Sequence, residues 1–105
     1  MDINSIMQQA REMQEKMAKV QNELASKTVT GSAGGGMVTV QATGKGEILS
    51  ISIEDEVIDR SEKELLQDLV AGDVNDALRK ARELAKSEMG GLAGGLQIPG
   101  LANMF

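Results

Sequence analysis

Along the first quarter of the chain, Ile3, Ile6, Ala10, Met13, Met17, Val20 and Leu24 recur at alternating intervals of three and four. That spacing is an a/d heptad seam, the pattern of a helix that lies against another helix. No Gly or Pro interrupts it, and its Gln, Glu, Lys, Ala and Met residues are good helix formers. The pattern predicts a helix over residues 4–26, with Asp2 and Asn4 as candidate caps. The period then changes to two. Val38, Val40 and Ala42 alternate with Thr39, Gln41 and Thr43, and Leu49, Ile51 and Ile53 alternate with Ser50 and Ser52. Such alternation marks strands with one buried and one wet face. Gly44-Lys45-Gly46 between these runs reads as a hairpin turn. Residues 27–30 form a shorter run, and the glycine-rich segment 31–36 makes a hairpin tip after it. Three antiparallel strands are expected.

Ser61, with Glu64 three residues later, has the form of a capping box at the start of a second helix. That helix is expected to reach about residue 88, with Leu66, Val70, Val74, Ala77, Leu78, Ala81, Leu84 and Ala85 on one face. Gly72 costs about 1 kcal/mol against Ala in a helix interior. Either the helix tolerates it, or it kinks or breaks at Gly72-Asp73. Beyond Met89 lie five of the twelve glycines and the single proline, Pro99. The expectation is an α+β fold: N-terminal helix, three-stranded antiparallel sheet, long C-terminal helix. It divides into one domain over residues 1–89 and a flexible Gly-rich tail over 90–105. The seam on the first helix asks for more partner surface than one second helix supplies, and a homodimer would meet that demand.

Composition narrows the chemistry. The chain of 105 residues has no Cys, His, Trp or Tyr, and its one aromatic is Phe105. Thiol and imidazole catalysis, disulfides and Cys/His zinc sites are thereby excluded. An enzyme is not expected, nor is a cofactor, a metal or a small-molecule substrate. The acidic group Glu54, Asp55, Glu56 and Asp59 lacks the spacing and central Gly of an EF-hand loop and reads as a solvated connection. Gly34–Gly36 is followed by Met37 and Val38 rather than Lys and Ser or Thr, so it is no P-loop. Gly44-Lys45-Gly46 is likewise a turn rather than a nucleotide site. The opening residues lack the features of a signal peptide, and no stretch has the apolar length of a membrane span. A cytoplasmic protein without membrane contact is expected.

The net charge of -5 is unevenly spread. Residues 1–46 hold five basic and four acidic side chains, residues 47–76 two and ten, and residues 77–105 four and two. The acidity is thus concentrated centrally, and it is expected to face away from any polyanionic ligand. On the second helix Arg79, Arg82 and Lys86 fall within about 60° of one another, with only Glu83 at their edge. On the first helix Arg11, Lys16, Lys19 and Lys27 share an arc of roughly 160° with Glu12, Glu15 and Glu23, so that face is mixed. A plain solubilising flank is the alternative for both.

The Met- and Gln-rich opening helix MQQAREMQEKMAKVQNELA is followed by GGGMVTVQATGKGEILSISI, then VNDALRKARELAKSEM and GGLQIPG. In this order and spacing, over nearly its full length, the chain resembles the YbaB/EbfC family of bacterial nucleoid-associated DNA-binding proteins. The resemblance implies a non-enzymatic homodimer joined across a two-fold axis, with projecting helices that bind duplex DNA in the cytoplasm at the nucleoid. It implies low sequence specificity and, loosely, a role in nucleoid organisation, gene regulation or recombination and repair. Carried over, the projecting helices select Arg11, Lys16 and Lys19 on the first helix and Arg79, Lys80, Arg82 and Lys86 on the second. Gly72-Asp73 departs from the family's small apolar residues, and Glu54-Asp55-Glu56 from its Asp-Pro-Glu turn. The competing expectation is a protein-interaction module that docks a partner helix on its heptad face. The near-absence of aromatics disfavours base stacking on single strands.

Overall fold

A computed structural model of the protein describes residues 2–96. Helix α1 (Ile3–Ser26) starts at Asp2, whose side chain accepts a hydrogen bond from the Asn4 amide, and ends where the Lys27 amide returns to the carbonyls of Glu23 and Leu24. Strands β1 (Thr28–Gly31), β2 (Val38–Thr43) and β3 (Ile48–Ile53) form one antiparallel sheet in the order β1-β2-β3. Helix α2 (Lys63–Leu96) returns across the sheet.

The alternation in β2 does what its period implies. Val38, Val40 and Ala42 are fully buried, and Ala77 and Ala81 of α2 are buried with them. Small residues on the α2 face let the helix approach the sheet closely. At Gly31 the approach is closest: a Cβ there would lie 2.6 Å from the Ala77 nitrogen. Gly44 closes the other end of the sheet, its amide donating to the Leu24 carbonyl at 2.9 Å. Leu24, the last seam residue of α1, is buried at that junction.

In β3 the register slips. Gln41 pairs with Ser50 but Ala42 pairs with Ile48, so Leu49 is an extra residue. The buried face expected at Leu49, Ile51 and Ile53 is not found: the strand is exposed along its length and only Ile53 is half-buried. Ile51 and Ile53 stand opposite Val40 and Val38.

Two expectations about α2 are corrected, and the alternative left open at Gly72-Asp73 is resolved. Asp59 caps the 3-10 turn Arg60–Glu62 that leads into the helix, in place of the expected Ser61–Glu64 box. The Asp59 carboxylate accepts both the Ser61 amide and hydroxyl at 3.0 Å, so the amide that Glu64 would take in a capping box is already engaged. These bonds hold the Asp59 carboxyl below its ordinary range. Two 3-10 turns, Asp55–Val57 and Arg60–Glu62, bring the chain to that point. The helix runs unbroken through Gly72-Asp73. A Cβ at Gly72 would find Ala33 at 3.7 Å, so the residue sits beside the β1–β2 hairpin, and packing offsets its low propensity. It also continues past residue 88 to Leu96, because every residue before Pro99 retains a backbone donor. Residues 90–96 of the expected tail thus belong to α2, and the rest of it, 97–105, lies outside the described residues.

The radius of gyration is 19.3 Å, with extents of 69 × 23 × 15 Å. A compact chain of this length would have about 13 Å. Two helices of 24 and 34 residues against strands of at most six account for the excess. The seam of α1 is covered only at its C-terminal end: Ile3 is 72% exposed, and Ile6 and Met17 are exposed too. No described helix is long and apolar enough to cross a membrane.

Candidate nucleic-acid interface

The exposed flank of α2 carries the cations that helical geometry places together, and their surroundings divide them. Asp76 precedes Arg79 and Lys80 by one turn. Its Oδ2 accepts the Ser32 amide at 3.0 Å and lies 3.1 Å from Lys80 Nζ, while Oδ1 accepts from Arg79 at 2.6 Å. The Ser32 amide, followed by Arg79 and Lys80, pulls the Asp76 carboxyl down to about 2. Arg79 also donates to Glu83 at 2.8 Å, and Asp76 and Glu83 together raise the guanidinium further above its ordinary value. Lys80 donates to the Thr30 carbonyl at 2.9 Å. Arg79 and Lys80 thus fasten the β1–β2 hairpin to α2 through one shared carboxylate.

Arg82 and Lys86 are exposed and have no carboxylate partner among the described residues. Arg82 lines an open recess of about 210 Å³ with Gln21 and Leu24 of α1, Gly44, Lys45 and Gly46 of the β2–β3 turn, and Ala81 and Ala85 of α2. Lys45, which the sequence assigns only to a turn, enters this neighbourhood through the fold. Nothing in its local spacing announces that.

The cations of α1 do not gather into one patch. Arg11 borders a recess with Asn4, Met7 and Gln8, whereas Lys16 and Lys19 border another with Val20, Glu23, Glu88 and Gly91. All three are unpaired among the described residues, but the second recess is mixed in charge. Near it, Lys27 is ion-paired with Glu88, joining the root of α1 to α2, and that carboxylate raises the Lys27 ammonium above its ordinary value.

The central acidic block does not stand wholly apart from the basic stripe. Asp76 ends it inside the stripe. Asp73, one turn earlier, is completely buried under the hairpin with neither oxygen in a hydrogen bond. Desolvation pushes its carboxyl up, opposed in part by the nearby Ala33 amide. Among the described residues no three carboxylates converge as metal ligands.

Residues 1–96 match the model of the YbaB/EbfC DNA-binding family. A nucleoid-associated protein of Desulfotalea psychrophila is 59% identical over 105 residues, spanning 100% of this chain and 99% of the relative. One from Clostridium novyi is 52% identical over 101 residues, 96% of this chain and 89% of the relative. The crystal structure of an uncharacterized protein from Helicobacter pylori superimposes with a TM-score of 0.79, covering 89% of this chain and 98% of that one at 24% identity, which establishes the shared fold. The match to the family model over residues 1–96 and the relative at 59% identity place the chain in a known lineage: it belongs to the YbaB/EbfC DNA-binding family.

Proposed function

We propose that the protein is a nucleoid-associated homodimer that binds duplex DNA with low sequence specificity through the basic flanks of its helices. The family is one of DNA-binding proteins, not of enzymes. The observation that carries the reading to particular residues is the pair Arg82 and Lys86, exposed on α2 without a neutralising carboxylate among the described residues. Free cations release counterions when they meet phosphates, and paired ones must first give up their partners. Arg11, Lys16 and Lys19 extend the contact along α1, and Arg79 and Lys80 hold the stripe in place more than they grip. Base-edge contacts are few, and specificity is correspondingly low. Such a protein works in the cytoplasm at the nucleoid, where its role is nucleoid organisation, with effects on gene regulation or recombination and repair following from it.

Dimerisation is supported by the faces left bare. Ile51 is 45% exposed although it is paired with the fully buried Val40, and Leu49 is more exposed still. A second copy covering β3 and the α1 seam would bury them and double the cationic flanks. The same bare seam would suit a foreign helix, which is the interaction-module reading.

One experiment separates these. Anisotropy of a labelled duplex is followed from low salt to about 200 mM, with molar mass measured in parallel. A dimer whose affinity falls steeply with log salt is the expected result. Absence of binding even at low salt overturns the DNA reading, and a monomer that binds DNA overturns the dimer alone.

A further inference from the structure

We infer that the recess between α1, the β2–β3 turn and α2 is a phosphate seat, with Lys45 and Arg82 as its cations and Gln21 as its neutral hydrogen-bonding partner. Its oxyanion is a backbone phosphate of duplex DNA. This assignment rests on the DNA-binding reading and adds to it a residue, Lys45, from outside the helices.

The lining carries the inference. Two cations and one amide side chain face a recess that no carboxylate lines, in a chain whose net charge is -5. Leu24, Ala81, Ala85 and the two glycines make the remaining wall. An apolar wall beside charge of one sign concentrates the local field and favours a counter-charge there. Glu47, two residues from Lys45, makes no ion pair with it.

The turn is also held in place. The Gly44 amide donates to the carbonyls of Leu24 at 2.9 Å and Lys27 at 3.1 Å, and the Gly46 amide to Thr43 at 2.9 Å. Thr43 Oγ1 accepts the amides of Lys45 and Glu47, each at 3.3 Å. A Cβ on Gly44 would lie 2.8 Å from the Leu24 carbonyl oxygen, and Gly46 has a φ of +86°, so neither position accommodates a larger residue easily. These bonds fix the base of Lys45 against α1 and spend every amide of the turn inside the protein. A nucleotide cradle built of backbone N–H groups is thereby ruled out, and the anion is held by side chains. Lys86 lies four residues beyond Arg82, on the same flank of α2, and continues the positive track away from the seat.

The test uses full-length protein and three variants: Lys45→Gln, Arg82→Gln and, as a control within the acidic block, Lys63→Gln. All three side chains are exposed, so the fold is retained, which circular dichroism checks. Duplex affinity is measured against salt, and backbone amide shifts of 15N-labelled protein are followed with duplex and, separately, with inorganic phosphate. The expected result is a salt slope lowered by about 0.9 for each of Lys45→Gln and Arg82→Gln and unchanged for Lys63→Gln, with severalfold weaker binding. Shifts at Gly44–Gly46 on adding duplex that are lost in Lys45→Gln support the seat. If wild type binds duplex but Lys45→Gln keeps its affinity and slope, the seat is overturned and the DNA reading stands. If wild type binds no duplex while inorganic phosphate still shifts Gly44–Gly46, the DNA reading fails and the oxyanion seat survives with a free phosphate as its ligand. No shift at Gly44–Gly46 with either probe overturns the seat, and the DNA reading falls with it only if the wild type also binds no duplex.

Discussion

Strands β2 and β3 are neighbours in one sheet, six residues each and similarly apolar, and their fates are opposite. Val38 and Val40 are fully buried under α2, while their partners Ile53 and Ile51 lie at the rim or in the open. Helices α1 and α2 repeat the contrast. The small apolar face of α2 is consumed by the sheet, and the larger one of α1 is bare for most of its length. Hydrophobic pattern alone states that a face wants cover. Which faces receive it within one copy depends on where a 34-residue helix happens to cross.

The sharpest way to break the contrast is to place a charge on each side of it. Val40→Asp should abolish folding, since an unpaired carboxylate in a fully buried site costs several kcal/mol of a stability of roughly 5–15 kcal/mol. Loss of the far-ultraviolet dichroic signal would report it. Ile51→Lys, one strand away, should keep that signal and instead weaken self-association by about a hundredfold or more, read as a halved molar mass at micromolar concentration. Equal effects from the two substitutions would mean that β3 is as covered in a single copy as β2.

A smaller effect is expected from Asp73, the one fully buried acid in the described core. Burial raises its carboxyl in the folded state, so the folded protein holds the proton more firmly than the unfolded chain does. Stability therefore falls as pH rises from about 3.8 through the raised value. Asp73→Asn should remove that slope and leave the protein more stable at pH 7, as measured by denaturant melts at intervals from below pH 3.8 up to pH 8. Asp76 acts in the opposite sense. Its carboxyl lies at about 2 when folded, so its contribution is present above about 3.8 and disappears as pH falls toward 2.

The smallest effect divides the cations. Lys86→Gln should lower the salt slope of DNA binding by about 0.9, whereas Arg79→Gln, whose charge is already matched by Asp76 and Glu83, should leave it nearly unchanged.

Much of this architecture was legible from spacing. The 3-4 seam and the period-two runs place α1 and the three strands within a residue or two, because local periodicity is all those elements require. The cap at Asp59 was missed because Ser61 satisfies a familiar three-residue rule, and the competing acceptor lies on its other side. The bulge at Leu49 depends on pairing with β2, which no single strand reveals. The candidate site was less legible. Helical geometry groups Arg79, Arg82 and Lys86 without distinguishing them. Their division comes from Asp76, which is anchored by Ser32, 44 residues away in sequence. Lys45 and Arg82 share a recess only because Gly44 lets the turn rest against Leu24.

The uneven cover along α1 sets how its backbone opens. Near Leu24 the helix is pinned by the core and by the Lys27–Glu88 pair, so its amide protons should exchange with solvent only through large-scale unfolding. Toward Ile3 and Ile6 no side chain among the described residues buries the helix, and exchange there should be fast in dilute protein. Raising the concentration should slow the outer turns and leave the inner ones untouched, so that one helix reports assembly at one end and folding at the other.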